Sequence, residues 1–268
     1  MRDIRIHPLH FAFGAFRKTW AGIDSILRLS WFPVLLVAVA VHLLTPGTPV
    51  TGDTGMPPDG VLRLAVLAVA GLMVQAMIAV AWHRTMLAGF DPSRVRIYVR
   101  FGFREFLYGI IAVFLAIIVF MGLYVVTGMV AALLAATFGV SGPLGQVVAF
   151  LIGMVPAILI VARSSLVLPS IAVGQGADLI RSWQVTRGYG AQISATLILV
   201  CLPLVVVSIV LIHLSGMFVE RGLGGFVGLV VNYVNMIVNI VMMCFVVTAL
   251  NLFFAELHRD KADEEPQA

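Results

Sequence analysis

The chain has 268 residues, 61% of them hydrophobic and only 11% charged, with a formal net charge of +4. An ordinary soluble domain has about a quarter of its residues charged, so this composition argues against a fold that must cover itself against water. The basic balance, with a pI near 9.4, calls for no nucleic acid, because the position of the cations along the chain accounts for it.

Six apolar stretches organise the sequence, at 27–44, 61–82, 106–138, 144–168, 191–214 and 224–254. Each is long enough to cross a hydrocarbon core of ~30 Å at about 1.5 Å per helical residue, and the longest must tilt, kink or protrude. The runs are continuously apolar, without the two-residue alternation of barrel strands, so helices are expected. The expected fold is all-α: one polytopic membrane domain over 1–257 with six transmembrane helices, followed by a polar tail at 258–268 that frays. Fifteen of the seventeen Lys and Arg residues lie on one side of these stretches, and only Arg63 and Arg221 lie on the other. The positive-inside rule then puts both termini in the cytoplasm of a bacterial inner membrane.

In chain order, the first basic segment is the clearest amphipathic helix. Phe13, Phe16, Trp20, Ile23 and Leu27 follow 3,4,3,4 spacing, while Arg17, Asp24 and Arg28 occupy another face. That pattern suits a helix lying in the interface, with rings toward acyl chains and cations, Lys18 among them, toward headgroups. The region before the first apolar stretch is too long for the n-region of a cleavable signal, so this stretch reads as a retained anchor. Residues 45–60 form a turn-rich external loop.

The second basic segment opens with Asp91 as N-cap and Pro92 at the first helical position. Arg96, Arg100 and Arg104 then fall at i, i+4 spacing; the alternation at 94–97 is also compatible with a short strand, but the span that follows favours a continuous interfacial helix. In the third segment Trp183 lies among Arg181, Gln184 and Arg187, and Gly188 and Gly190 supply a stop and a turn. Each basic segment precedes a pair of spans, which suggests three tandem helix-plus-hairpin units about the membrane normal. Basic-aromatic flanks of this kind anchor spans and set orientation, and they also offer a cationic surface to anionic lipid.

Polar residues inside the spans are few. All thirteen carboxylates fall in loops, flanks or the tail, which argues against a proton or cation pump. Arg163 is the one charge inside an apolar run. It lies close to an interface, where it either snorkels to headgroups or makes an ion pair or anion contact, with Asp178 and Glu105 as candidate partners. Asn232, Asn235 and Asn239 share one helical face and serve either as interhelical hydrogen-bonding glue or as the lining of a solute path; Asn251 lies beyond them. His42, His83 and His213 are scattered near span ends, and Cys201 and Cys244 stand without a CxxC or Cys/His cluster. No HExxH, GxSxG or P-loop pattern occurs, so no catalytic, cofactor or metal site is expected. Pro156, Pro169 and Pro203 should kink the fourth and fifth spans or mark their ends.

The run ARSSLVLPSIAV at 162–173, followed by LIRSWQVTRGYG at 179–190, resembles the uncharacterised six-span bacterial inner-membrane family typified by YciC. It also resembles the related membrane domain of glycerophosphodiester phosphodiesterases. Arg163, Ser165, Leu166 and Pro169 match an Arg-Ser-Leu-x-x-Pro run at the end of a span; Ser182, Trp183, Thr186 and Gly188 match a Ser-Trp-x-x-Thr-x-Gly turn before the next. The N-terminal FGAFRKTW is similar to the opening of that family. The resemblance implies a six-helix membrane domain with interfacial helices and implies little about activity. Together these readings lead to the expectation of a non-enzymatic accessory protein. Its cationic inner face (Arg17, Lys18, Arg96, Arg100, Arg104, Arg163, Arg181, Arg187) would contact anionic lipids of the inner leaflet, and a membrane-protein partner is a second expected contact. The alternative is a small permease for a neutral, anionic or lipid-like solute, with the asparagine stripe lining its path.

Overall fold

The computed structural model describes residues 7–44, 58–139, 142–220 and 226–264. Arg2, Arg5, Arg221, most of the 45–60 loop and the last residues of the tail lie outside the described residues, as do the side chains of Arg259 and Lys261. The helices are α1 (Pro8–Ala21), α2 (Ile23–Leu44), α3 (Pro58–Ala88), α4 (Phe103–Phe138), α5 (Pro143–Ser164), α6 (Val167–Val173), α7 (Leu179–Val185), α8 (Gly190–Glu220) and α9 (Phe226–Glu264). No strand occurs among the described residues. Six segments are long and apolar enough to cross a membrane: Ile23–Leu44, Gly60–Ala88, Phe103–Phe138, Pro143–Val173, Gly190–Leu211 and Phe226–His258. The expected all-α, six-span membrane fold is what the chain adopts.

The hydrogen bonds show which ends meet. Thr19, late in α1, donates to Thr248 in the last third of α9, and Thr196 near the start of α8 donates to the carbonyl of Pro8 at the start of α1. His83, late in α3, touches Tyr108 near the start of α4. Ser182 in α7 donates to the carbonyl of Arg163 at the end of α5. The three basic segments therefore gather at one end of the bundle, here termed the basic end.

Packing is concentrated toward that end. One buried cluster joins Ile26 and Leu29 of α2 with Ile78 and Trp82 of α3 and with Val167 and Ile171 of α6. A second joins Ala12 and Ala15 of α1 with Ile193 and Val200 of α8 and Phe253 of α9. Residues 61–66 of α3, by contrast, are all exposed. Helix α9 is the central post, with 56% of its most apolar window covered by protein against 6% for α4. Lipid tails are as apolar as leucine, so such contacts stabilise through close packing and hydrogen bonding rather than through escape from water. Helices α4 and α5 illustrate this. Gly145, Ala149, Gly153 and Ala157 recur every fourth residue of α5 and are all buried, and Gly153 faces Thr127 of α4, a small-residue seam that lets two backbones approach closely.

Two local expectations need correction, and the break expected near Pro169 is found. The amphipathic stripe of the first basic segment is interrupted at Gly22, where α1 ends and α2 begins. Phe13 and Trp20 are exposed as the spacing implies, but Phe16 turns inward against Phe245, because Ala12, Ala15 and Thr19 form the face that meets the bundle. The second basic segment is not a helix. Asp91 does cap Pro92–Arg94, its side chain accepting from the Ser93 backbone N–H, but this is a single 3-10 turn, and the chain then runs non-helically to Gly102. Three of residues 95–99, Val95, Ile97 and Val99, are β-branched, which disfavours helix there, and of the five only Tyr98 is buried. Arg96 and Arg100 consequently share no helical stripe with Arg104, which belongs to the first turn of α4. The fourth span breaks at Ser165–Leu166, four residues before Pro169, whose ring is incompatible with the helical carbonyl at 165. Beyond the break, α6 carries Val167, Pro169, Ile171 and Ala172 into the interior and closes the basic end beneath α3 and α4.

Candidate functional site

The fourth-span exit and the turn that follows it in the chain fold onto each other. Asp178 caps α7 by accepting from the backbone N–H of Arg181, which sets α7 against the end of α5. Ser182 Oγ then donates to the Arg163 carbonyl at 2.6 Å, and Trp183 Nε1 donates to Ser164 Oγ at 3.0 Å. Thr186 ties back to the Ser182 carbonyl at 2.8 Å, and Gly188, at φ +90°, turns the chain into α8. The Arg163 guanidinium lies over the Trp183 ring, 4.5 Å from its centroid, and one of its N–H groups donates to the Trp183 carbonyl at 3.2 Å. Arginine stacked on indole is held in one orientation by the ring quadrupole and the hydrogen bond together. Neither candidate ion-pair partner is used: Asp178 caps α7, and Glu105 accepts from the backbone N–H of Gly102.

Beside this motif lies an open groove of about 560 Å³. Pro156, Leu159 and Ile160 of α5 form one part of its lining, and Arg163, Trp183 and Arg187 form another.

Of the described Lys and Arg side chains, only two have a carboxylate within 4.0 Å: Arg28 with Asp24 at 3.4 Å and Arg94 with Asp91 at 3.3 Å. Arg17, Lys18, Arg96, Arg100, Arg104, Arg181 and Arg187 are exposed at the basic end without such a partner among the described residues, and Arg163 is half-buried there. The hydrogen bonds from Ser93, aided by Arg94, hold the Asp91 carboxyl below the usual carboxylate range. Burial pushes the Tyr98 phenol above its ordinary value, with a further upward push from Glu105, while Arg84 and Arg100 oppose it.

A second cluster lies inside the basic end and was not legible as a cluster in the sequence. His83 is fully buried; its Nδ1 is hydrogen-bonded to Asn251 Oδ1 and its Nε2 to Tyr108 Oη at 3.3 Å. One consistent assignment has Nδ1–H donating to the amide oxygen while the phenol donates to Nε2. One turn away, Trp82 Nε1 and Thr19 Oγ1 both donate to Thr248 Oγ1 at 2.8 Å, and Thr248 donates to the Cys244 carbonyl. These bonds knit α1, α3, α4 and α9. Asn251 Nδ2 is buried without a partner among the described residues. The signal available in the sequence was weak: a histidine at the end of one span and an asparagine near the end of another.

The asparagine stripe keeps its bonds to itself. Asn239 Nδ2 donates to the carbonyl of Asn235 at 2.8 Å and approaches its Oδ1 at 3.2 Å, and Asn239 is exposed. Tyr233, on the same stretch of α9, makes the interhelical bond, donating to the carbonyl of Trp31 in α2 at 3.1 Å. Among the described residues no three His, Cys, Asp or Glu side chains converge as metal ligands would.

Fold and site together define a six-span helical membrane protein with an un-neutralised cationic end. Comparison of the chain with protein-family models, with curated proteins and with solved structures finds no match.

Proposed function

We propose that this is a non-enzymatic membrane accessory protein that binds anionic phospholipid headgroups with its basic end and so organises the lipid, or a membrane-protein partner, around it. The basic end faces the cytoplasm of a bacterial inner membrane, as the charge asymmetry of the loops favours. The observation that carries the reading is the absence of carboxylate partners for Arg17, Lys18, Arg96, Arg100, Arg104, Arg163, Arg181 and Arg187 among the described residues. Cations gathered at an interface without acidic neighbours are attracted to an anionic leaflet by about 1 kcal/mol each. The same charges left unmatched would repel one another. The resemblance to the YciC-like family supports this reading, since the residues that carry it build the Arg163–Trp183 motif at that end.

The test replaces Arg96, Arg100 and Arg104 with Gln and measures the lipid that co-purifies in mild detergent by mass spectrometry. All three are exposed, and none pairs with a carboxylate among the described residues, so the fold should survive. The anionic share of recovered lipid is expected to fall relative to the zwitterionic share. Unchanged recovery would remove headgroup recognition as the function of this surface.

A further inference from the structure

We propose that the groove beside Arg163 is a slot for one anionic glycerophospholipid, with its phosphate on Arg163 and Arg187 and the start of an acyl chain along Pro156, Leu159 and Ile160. This rests on the reading of the basic end as a headgroup surface and narrows it to one molecule at one place.

The lining has two chemistries in the order a lipid presents them. Pro156 precedes Arg163 by two helical turns of α5, about 10 Å along the axis, and Arg163 is in the last turn before the helix ends at Ser164. The apolar part therefore lies toward the hydrocarbon and the cationic part toward the interface. A volume of about 560 Å³ is within the range of small-molecule sites, roughly 300–1,000 Å³. It suits a headgroup with the first carbons of a chain rather than a whole lipid.

The cation is prepared for an anion. Of the five guanidinium N–H groups of Arg163, one is engaged by the Trp183 carbonyl, and no carboxylate lies within 4.0 Å among the described residues. Trp183 fixes the plane of the group from one side. A pre-oriented guanidinium with free donors matches phosphate oxygens better than a mobile ammonium does. Arg187 is exposed in the same lining and supplies a second charge.

The groove also depends on a missing side chain. A β-carbon at Gly190 would rest 3.7 Å from Arg163 Cγ and 4.0 Å from Leu159 Cδ2. One carbon fits there, and a longer side chain would extend between the arginine stem and the apolar wall. A free inorganic anion would use the two arginines and leave that wall uncovered, so the occupant is a lipid.

The test is native mass spectrometry of the full chain in mild detergent with an equimolar mixture of phosphatidylglycerol and phosphatidylethanolamine. The unmodified protein is expected to retain a single phosphatidylglycerol adduct after the looser lipid has been stripped. Arg163→Gln and Gly190→Leu are each expected to cut its occupancy roughly tenfold, which corresponds to about 1.4 kcal/mol. The looser anionic enrichment, carried by the other basic residues, should stay near the level of the unmodified protein. If Gly190→Leu does not fold, Arg163→Gln alone decides. A retained adduct at full occupancy in Arg163→Gln overturns the slot while leaving the broader headgroup surface standing. No anionic enrichment at all in the unmodified protein overturns both. Equal retention of phosphatidylethanolamine, or displacement of the adduct by inorganic phosphate, overturns the identity of the occupant.

Discussion

His83 of α3 and Asn251 of α9 are hydrogen-bonded to each other where both are almost wholly covered by protein, Asn251 being 1% exposed and His83 0%. The pair stands at the level where the bundle closes, one turn from the Trp82–Thr248–Thr19 chain of bonds. Polar side chains so deep in an apolar bundle bring their helices into one register, because any slip would leave a donor or acceptor facing hydrocarbon. The pair therefore holds α3 to α9 at the end where the cationic surface must be displayed.

Asn251→Leu leaves His83 Nδ1 without its partner, and His83→Phe leaves the amide without its own. Each is expected to lower stability by about 1–3 kcal/mol, the cost of an unsatisfied buried polar group. The double replacement should cost less than the sum of the two. Thermal melts of the four detergent-solubilised proteins provide the cycle, and strict additivity would mean that the two residues do not act as a pair.

Gly22 and Trp82 are fitted to each other in the same region. A β-carbon at 22 would collide with Trp82 Cη2, which belongs to a fully buried ring. Gly22 itself has φ −99°, so backbone conformation does not demand glycine there. Gly22→Ala should cost about 1–3 kcal/mol, as overpacking does. The penalty should shrink when the ring is made smaller by Trp82→Phe. Melting temperatures of Gly22→Ala in the two backgrounds decide: equal losses would exclude the indole as the cause.

The α4–α5 seam makes a parallel case at mid-span. A β-carbon at Gly153 would come within 2.7 Å of Thr127 Oγ1 and 3.4 Å of the Thr127 backbone nitrogen. Gly153→Ala is expected to loosen this hairpin, and Thr127→Ala should recover part of the loss by removing the nearest atom. Protease accessibility of the α4–α5 connection, followed with the melts, measures it. A Gly153→Ala protein as resistant as the unmodified one would show that the seam has slack.

The spans and the grouping of the basic segments were legible because both rest on long-range averages: apolar length and the side on which cations fall. The failures are local. At 91–102 the arginine spacing at 96, 100 and 104 satisfies a helical template, but the chain there is irregular: three β-branched residues at 95, 97 and 99 disfavour helix, and Tyr98 is buried while both flanking arginines are exposed. At Phe16 the apolar stripe of the sequence suggests one lipid-facing surface. Small residues at 12, 15 and 19 instead provide the closest approach to α8 and α9, and they rotate the helix so that Phe16 packs inward. The site was half legible. The residues at 163–169 and 182–188 could be singled out in sequence, but their contact depends on the break at 165–166, and the His83 cluster depends on the register of three helices that no spacing encodes.

Tyr98 gives the clearest pH dependence. Its side chain is buried with its ring against Phe90, and its hydroxyl has no partner among the described residues. Burial, reinforced by Glu105, raises the phenol above its ordinary pKa of about 10. The folded state thus favours the protonated, neutral form. That stabilisation is fully present below the unfolded pKa and is lost as pH rises through the higher folded value. Tyr98→Phe removes the unsatisfied hydroxyl and keeps the ring, so it should stabilise the protein by about 1 kcal/mol at neutral pH. Its advantage should then widen above pH ~10, where only the unmodified protein must either bury a phenolate or release the segment. Melting temperatures of both proteins from neutral to alkaline pH test this directly. A difference that stays constant across the alkaline range would mean that Tyr98 does not titrate with unfolding, and that the 95–102 segment is held by other contacts.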